Sequence, residues 1–91
     1  MSVYLVNYDL LAPGKDYSKL YEVLQSASGW WHYLESLWLL SSEESLETWH
    51  TRIRSRMDEN DSFIIMKLTP GMQRNGWLPQ KAWDWIRQHL D

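Results

Sequence analysis

The first ten residues, Met1-Ser-Val-Tyr-Leu-Val-Asn-Tyr-Asp-Leu10, constrain this chain more than any other stretch. They are dense in β-branched and aromatic side chains, and no Gly or Pro interrupts them before Pro13. That composition predicts a strand. Both of its alternating sides are apolar enough to be covered, so the strand is expected at the centre of a sheet rather than at an edge. It ends on a carboxylate, Asp9, where the chain must leave the sheet. There Asp9 either opens a turn or is carried by a rigid element toward a surface or a partner.

A chain of 91 residues is one domain, 1–91. At that length only roughly 60–65% of the unfolded surface is buried on folding. There is no cysteine, which excludes a disulfide scaffold and thiol chemistry and fits a cytoplasmic setting. No apolar run approaches the roughly 18 residues of a membrane span, and the start lacks a signal peptide's basic region, so no membrane partner is expected. A net charge of −3 argues against non-specific nucleic-acid binding unless positive charge gathers on one face. The seven tryptophans either fill a small core or leave aromatic surface for a partner.

Pro13-Gly14 marks a loop after the first strand. A helix is predicted from about Asp16 to Ala27, with Asp16 as N-cap and Tyr17, Leu20, Leu24 and Ala27 on one stripe. Lys15 and Lys19 stand at its start, where the macrodipole disfavours cations. They are either solvated or serve an anionic partner near Asp9. Trp30 to Leu40 is β-like with imperfect alternation. It reads as one long strand or as two broken near Glu35-Ser36, with Trp31, Leu37 and Leu39 on one face and Leu34, Trp38 and Leu40 on the other. His32 reads as a surface or hydrogen-bonded histidine, with a metal role as the lesser alternative because no neighbouring ligand pattern accompanies it.

Ser41-Ser-Glu-Glu44 has the spacing of a capping box, so a helix is predicted from about Glu43 to Met57. Its buried stripe is Leu46, Trp49, Ile53 and Met57. Its arginines lie near the C-terminal end, as the macrodipole prefers; Arg52 and Arg56, one turn apart, could alternatively bind phosphate. Asp58-Glu-Asn-Asp61 is a turn cluster, and Ser62 to Leu68 a second buried strand. Turn signals at Pro70-Gly71 and Asn75-Gly76 precede a last helix, about Pro79 to Leu90. Trp83 and Trp85 point about 200° apart on it, so one is expected on the core and the other against another segment or another chain.

With the middle segment split, the order is βαββαβ plus a C-terminal helix. It predicts an α+β, ferredoxin-like sandwich with a core at about residues 2–68 and a loop and helix at 69–91. Right-handed crossovers put both main helices on one face of an antiparallel sheet. The other face is then left for the C-terminal helix, a second chain, or both.

Three separated segments resemble the small CRISPR-associated Cas-two family and its VapD-like relatives. They are Tyr8-Asp9 closing the first strand, Ser36-Leu37-Trp38 following Gly29, and Asp61-Ser62-Phe63-Ile64-Ile65 opening the last core strand. The tail, Gly76-Trp-Leu-Pro-Gln-Lys-Ala-Trp-Asp-Trp85, resembles a subgroup of small bacterial proteins of unassigned role, some carrying a SinR label. The resemblance covers about residues 2–68. It implies a ferredoxin-like fold, a homodimer, and an Asp9 from each chain facing the other across the twofold to share Mg²⁺ or Mn²⁺. In that family the site serves nucleic-acid cleavage in some members, while others are structural dimers. Two departures stand out. Leu39 occupies the place of a frequent glutamate, and Lys15 and Lys19 replace the arginines common after the first-strand aspartate.

Two functions follow. In one, the protein is a non-catalytic homodimeric adaptor for a protein partner in a bacterial or phage defence or toxin–antitoxin setting, with Trp38, Trp83 and Trp85 as contact residues. In the other, it is a metal-dependent endonuclease on RNA or DNA. Asp9 would then hold the metal, Ser36 would position a water or phosphate oxygen, and Lys15, Lys19, Arg52 and Arg56 would hold the backbone. A basic groove past Asp9 favours the nuclease; an apolar tryptophan patch favours the adaptor.

Overall fold

A computed structural model describes residues 1–91. Its elements run β1 (Ser2–Asp9), α1 (Ser18–Gln25), β2 (Gly29–Leu34), β3 (Leu37–Ser42), α2 (Leu46–Arg54), β4 (Ser62–Lys67) and α3 (Gln80–Leu90). The four strands form one sheet in the order β2-β3-β1-β4, every neighbouring pair antiparallel. The chain is therefore a compact α+β unit, and β1 is central, as its two apolar sides require.

The pleat divides β1 between two cores. Tyr4, Val6 and Tyr8 point to the layer holding α1 and α2. There they join Leu20 and Leu24 of α1, Trp49 and Ile53 of α2, and Trp38 and Leu40 of β3. Val3 points the opposite way and joins Trp31, Leu39, Ala82, Ile86 and Leu90 beneath α3. The face left open by the first two helices is thus covered in part by α3. Trp31 donates its indole N–H to the Ala82 carbonyl at 3.1 Å, which fixes that helix to the sheet. The loop before α3 is tied to its far end through Gly71 N–H to Leu90 O at 2.8 Å, and through Arg74 to Asp91 at 2.6 Å.

Several sequence expectations change. The middle segment is a hairpin with Glu35-Ser36 as its two-residue turn, and its register shifts between Trp31 and Leu34. A turn reverses the strand, so Leu34 lies opposite Leu37 and on its face, not on the face of Trp38 and Leu40. The cap of α2 is Ser45, whose hydroxyl accepts the Thr48 N–H at 3.1 Å. Ser41 is instead buried in β3, so the strand outcompetes the local capping box. The cap of α1 is Tyr17, one residue beyond Asp16, whose carboxylate accepts the Ser18 N–H at 2.9 Å. Ser45→Ala is expected to cost about 1 kcal/mol, as loss of a true cap does. Ser41→Ala should leave the amide-exchange protection of the first turn of α2 unchanged. Hydrogen exchange on the two variants separates the two assignments.

Candidate functional site

Asp9 is the last residue of β1, and its pairing with Ser62 of β4 fixes it at the end of the sheet. Strand alternation aligns it with Val3, Leu5 and Asn7, on the face turned away from α1 and α2. It is exposed and forms no ion pair. A shallow groove runs past it, lined by Asn7, Tyr8, Asp9, Ser36, Ser62, Phe63 and Ile64. Asp9 and Ser36 therefore do meet in one groove. Ser36 donates its hydroxyl to the Asn7 side-chain oxygen at 3.0 Å, a contact the sequence did not announce. On the side toward α1, Asp9 borders Tyr21 and Glu35, a second carboxylate.

No cation enters this groove. Lys15, Lys19 and Arg56 share a separate shallow cleft with Asp16, Ser18 and Ser55, between the start of α1 and the end of α2. Arg52 lies in a third place. It pairs with Glu44 at 3.1 Å and its guanidinium stands 5.4 Å from the centre of the Trp49 ring. The four cations expected to hold a nucleic-acid backbone thus sit on the helical layer and do not gather around Asp9. Parity in β1 is the reason: the residue that ends the strand points opposite to the helices that carry the charge.

In the groove Asp9, Asn7, Ser36 and Ser62 offer one carboxylate, one amide oxygen and two hydroxyls, and the Glu35 carboxylate lies on the other side of Asp9. No group of three His, Cys, Asp or Glu side chains assembles within a chain. Carboxylate, amide and hydroxyl oxygens are the hard donors a divalent cation takes, and a second chain's Asp9 would add a further carboxylate to them. Tyr8, beside Asp9, is not a substitute base. Burial pushes its phenol above the ordinary value, against the lowering effect of the hydrogen bond from Trp38.

The tryptophans also sort differently. Trp38 is 1% exposed, with its indole N–H donated to the Tyr8 hydroxyl at 3.0 Å and His32 stacked on it at 3.9 Å. It belongs to the core between sheet and helices and has no surface to offer a second chain, which corrects its expected contact role. Trp83 and Trp85 are both half-buried against the core beneath α3, so neither is a free anchor. Trp85 is stacked on His89 at 4.0 Å. Trp30 on β2 is 43% exposed, and Trp77, in the loop before α3, is 100% accessible. Its place between Gly76 and Leu78 was legible; its exposure was not.

A polar knot centres on Asp61, which the sequence showed as part of a turn cluster and as the first residue of the motif that opens the last core strand. Its carboxylate accepts the Leu11 N–H at 2.8 Å, the Asp58 N–H at 2.8 Å and the Tyr17 hydroxyl at 2.7 Å. Desolvation pushes this carboxyl up. The hydrogen bonds from Asp58, Leu11 and Tyr17 and the Lys15 charge together outweigh it and hold the group below its ordinary value. The knot ties the loop after β1 to the loop before β4, and so sets the end of β1 where Asp9 stands.

β4 is an edge strand, hydrogen-bonded to β1 alone. On the Asp9 face it presents Ile64, 53% exposed, and Met66, 46% exposed. These stand directly opposite Asn7 and Leu5. The groove past Asp9 is thus continued by apolar surface. Comparison of the chain with protein-family models, with curated proteins and with solved structures found no match.

Proposed function

We propose that this protein is a non-catalytic homodimeric adaptor with a ferredoxin-like fold, of the Cas-two-like kind that its sequence motifs resemble. Four antiparallel strands in the order β2-β3-β1-β4, with α1 and α2 on one face, support the ferredoxin-like assignment. The observation that carries the functional reading is the make-up of the surface at Asp9. It holds no basic side chain, and it is continued by exposed Ile64 and Met66 on a strand whose outer edge is unpaired. A groove that tracks phosphates needs positive charge along it. An apolar surface beside a free strand edge suits protein contact instead. Its partners are a second copy and, through the remaining surface, a protein of a defence or toxin–antitoxin system.

The endonuclease is the competing reading, and Asp9→Asn separates the two. As an adaptor residue, Asp9 is exposed and unpaired, so the variant should match wild type in thermal unfolding within about 0.5 kcal/mol. Excess Mn²⁺ should shift neither protein, and labelled RNA and DNA should stay intact with both. A Mn²⁺ stabilisation and a cleavage activity that wild type has and the variant lacks would establish the nuclease.

A further inference from the structure

Beneath α3 lies a cavity of about 200 Å³. Leu5, Leu37 and Leu39 of the sheet form its floor, Trp83 and Leu78 one wall, and Arg74 stands at its rim. Such a space is large enough for an aromatic ring, since a cavity of about 150 Å³ holds benzene. The largest apolar side chain without cover is Trp77, next to the wall residue Leu78. Trp77 does not fill the cavity of its own chain. Neighbours in an extended stretch point to opposite sides, and Leu78, held extended by Pro79, takes the inward place. A Cβ on Gly76 would meet the Trp83 ring at 3.7 Å, an ordinary contact distance, so the loop runs alongside the helix as it passes.

We propose that Trp77 of one copy inserts into this cavity of a second copy, and reciprocally, so that each cavity is completed by its partner's indole. The inference rests on the homodimer reading and names the contact. Three observations converge on a second copy as the occupant. The chain itself carries the exposed ring that fits. Arg74 at the rim can lie against an indole face, where a cation is favoured. The cavity floor is continuous with the exposed apolar surface, because Leu5 stands opposite Met66 and Leu37 opposite Asn7. A twofold interface is self-complementary, and an arm and a socket on each copy satisfy that requirement. Two inserted rings remove roughly 300–500 Å² from water, and the socket walls a similar amount. That is about half of what a specific interface of roughly 1,200–2,000 Å² buries, and the Ile64 and Met66 surface can supply the rest.

Three variants test it. Trp77→Ala removes the arm of a fully exposed residue, so folding is unaffected. Met72→Trp, at a half-exposed position lining the cavity, blocks the socket and keeps the arm. A buried tryptophan anchor is worth a factor of about 30 or more in affinity, so each variant should weaken dimerisation by roughly 10³-fold through its two lost joints. Mixed together, the two restore one joint, Trp77 of the Met72→Trp chain in the open socket of the Trp77→Ala chain. The mixed dimer should be about 30-fold tighter than either variant's own. The third variant, Trp77→Phe, assigns the Trp77 resonance in protein labelled with fluorotryptophan; in wild type this resonance should move with concentration as the ring leaves water. If wild type dimerises and Trp77→Ala dimerises equally well, or the mixture is no tighter than its parts, the insertion is wrong and the homodimer stands. If wild type stays a monomer with an unchanging Trp77 resonance, both fall.

Discussion

Trp38→Ala is expected to lower unfolding free energy by about 3–5 kcal/mol, the range for truncating a fully buried aromatic residue. A 91-residue domain holds only about 5–14 kcal/mol in total, so this one change takes a large part of its margin. The loss has two sources. The removed ring leaves a void among Tyr21, Trp30 and His32, whose rings all lie against it. The Tyr8 hydroxyl also loses its donor in a buried place. The melting temperature should fall by more than about 12 °C. Trp38→Phe keeps one aromatic ring but loses the indole N–H and part of the bicycle, so it should cost about 1–2 kcal/mol for the hydrogen bond plus a packing term smaller than that of Trp38→Ala. Denaturant unfolding of the three proteins orders them. Equal stability of Trp38→Ala and wild type would contradict the placement of Trp38 in the core.

Asp61→Ala should be the most damaging change among the polar residues, at about 2–3 kcal/mol. It strands two backbone N–H groups and a phenol that now share one carboxylate. The figure stays below three separate charged hydrogen bonds because water reaches this half-exposed site and replaces part of the loss. The effect carries a pH signature. The folded-state carboxyl titrates below its ordinary value of 3.8, so its stabilisation is complete well above that value and is lost as pH falls through the folded value. Wild type should therefore lose more stability than Asp61→Ala on acidification below about pH 4–5, and the two should converge at the acid end. A constant gap between them down to pH 2 would mean that the charge on Asp61 contributes nothing.

Much of the fold was legible because it rests on local periodicity. The central place of β1 follows from its two apolar sides, and Leu20 with Leu24 and Trp49 with Ile53 follow from helical spacing. The failures share a cause: a local signal met a stronger long-range one. Ser41 has the right neighbours for a cap, but pairing with Val3 and Gly29 keeps it in β3. Leu34 was assigned by uninterrupted alternation, which a two-residue turn reverses. Asp61 showed as a turn residue and the start of a strand motif, not as the centre of a knot, since its partner Tyr17 lies 44 residues away.

The candidate site was half legible. Asp9 and Ser36 share a groove, as the motifs suggested, and Asn7 joins them through strand parity. The separation of Lys15, Lys19, Arg52 and Arg56 from that groove depends on which face each element packs against, and spacing within one element does not encode that. The surplus of tryptophan divides in the same way. Trp38 and Trp49 are spent in the core, Trp83 and Trp85 hold α3, and Trp77 alone is left fully in water. No count of residues could have chosen among them.

Sedimentation equilibrium on the wild-type chain between about 1 and 100 µM tests the homodimer most directly. The expected weight-average mass rises to twice the 11.0 kDa of one chain across that range. A mass that stays at 11.0 kDa at every concentration contradicts it.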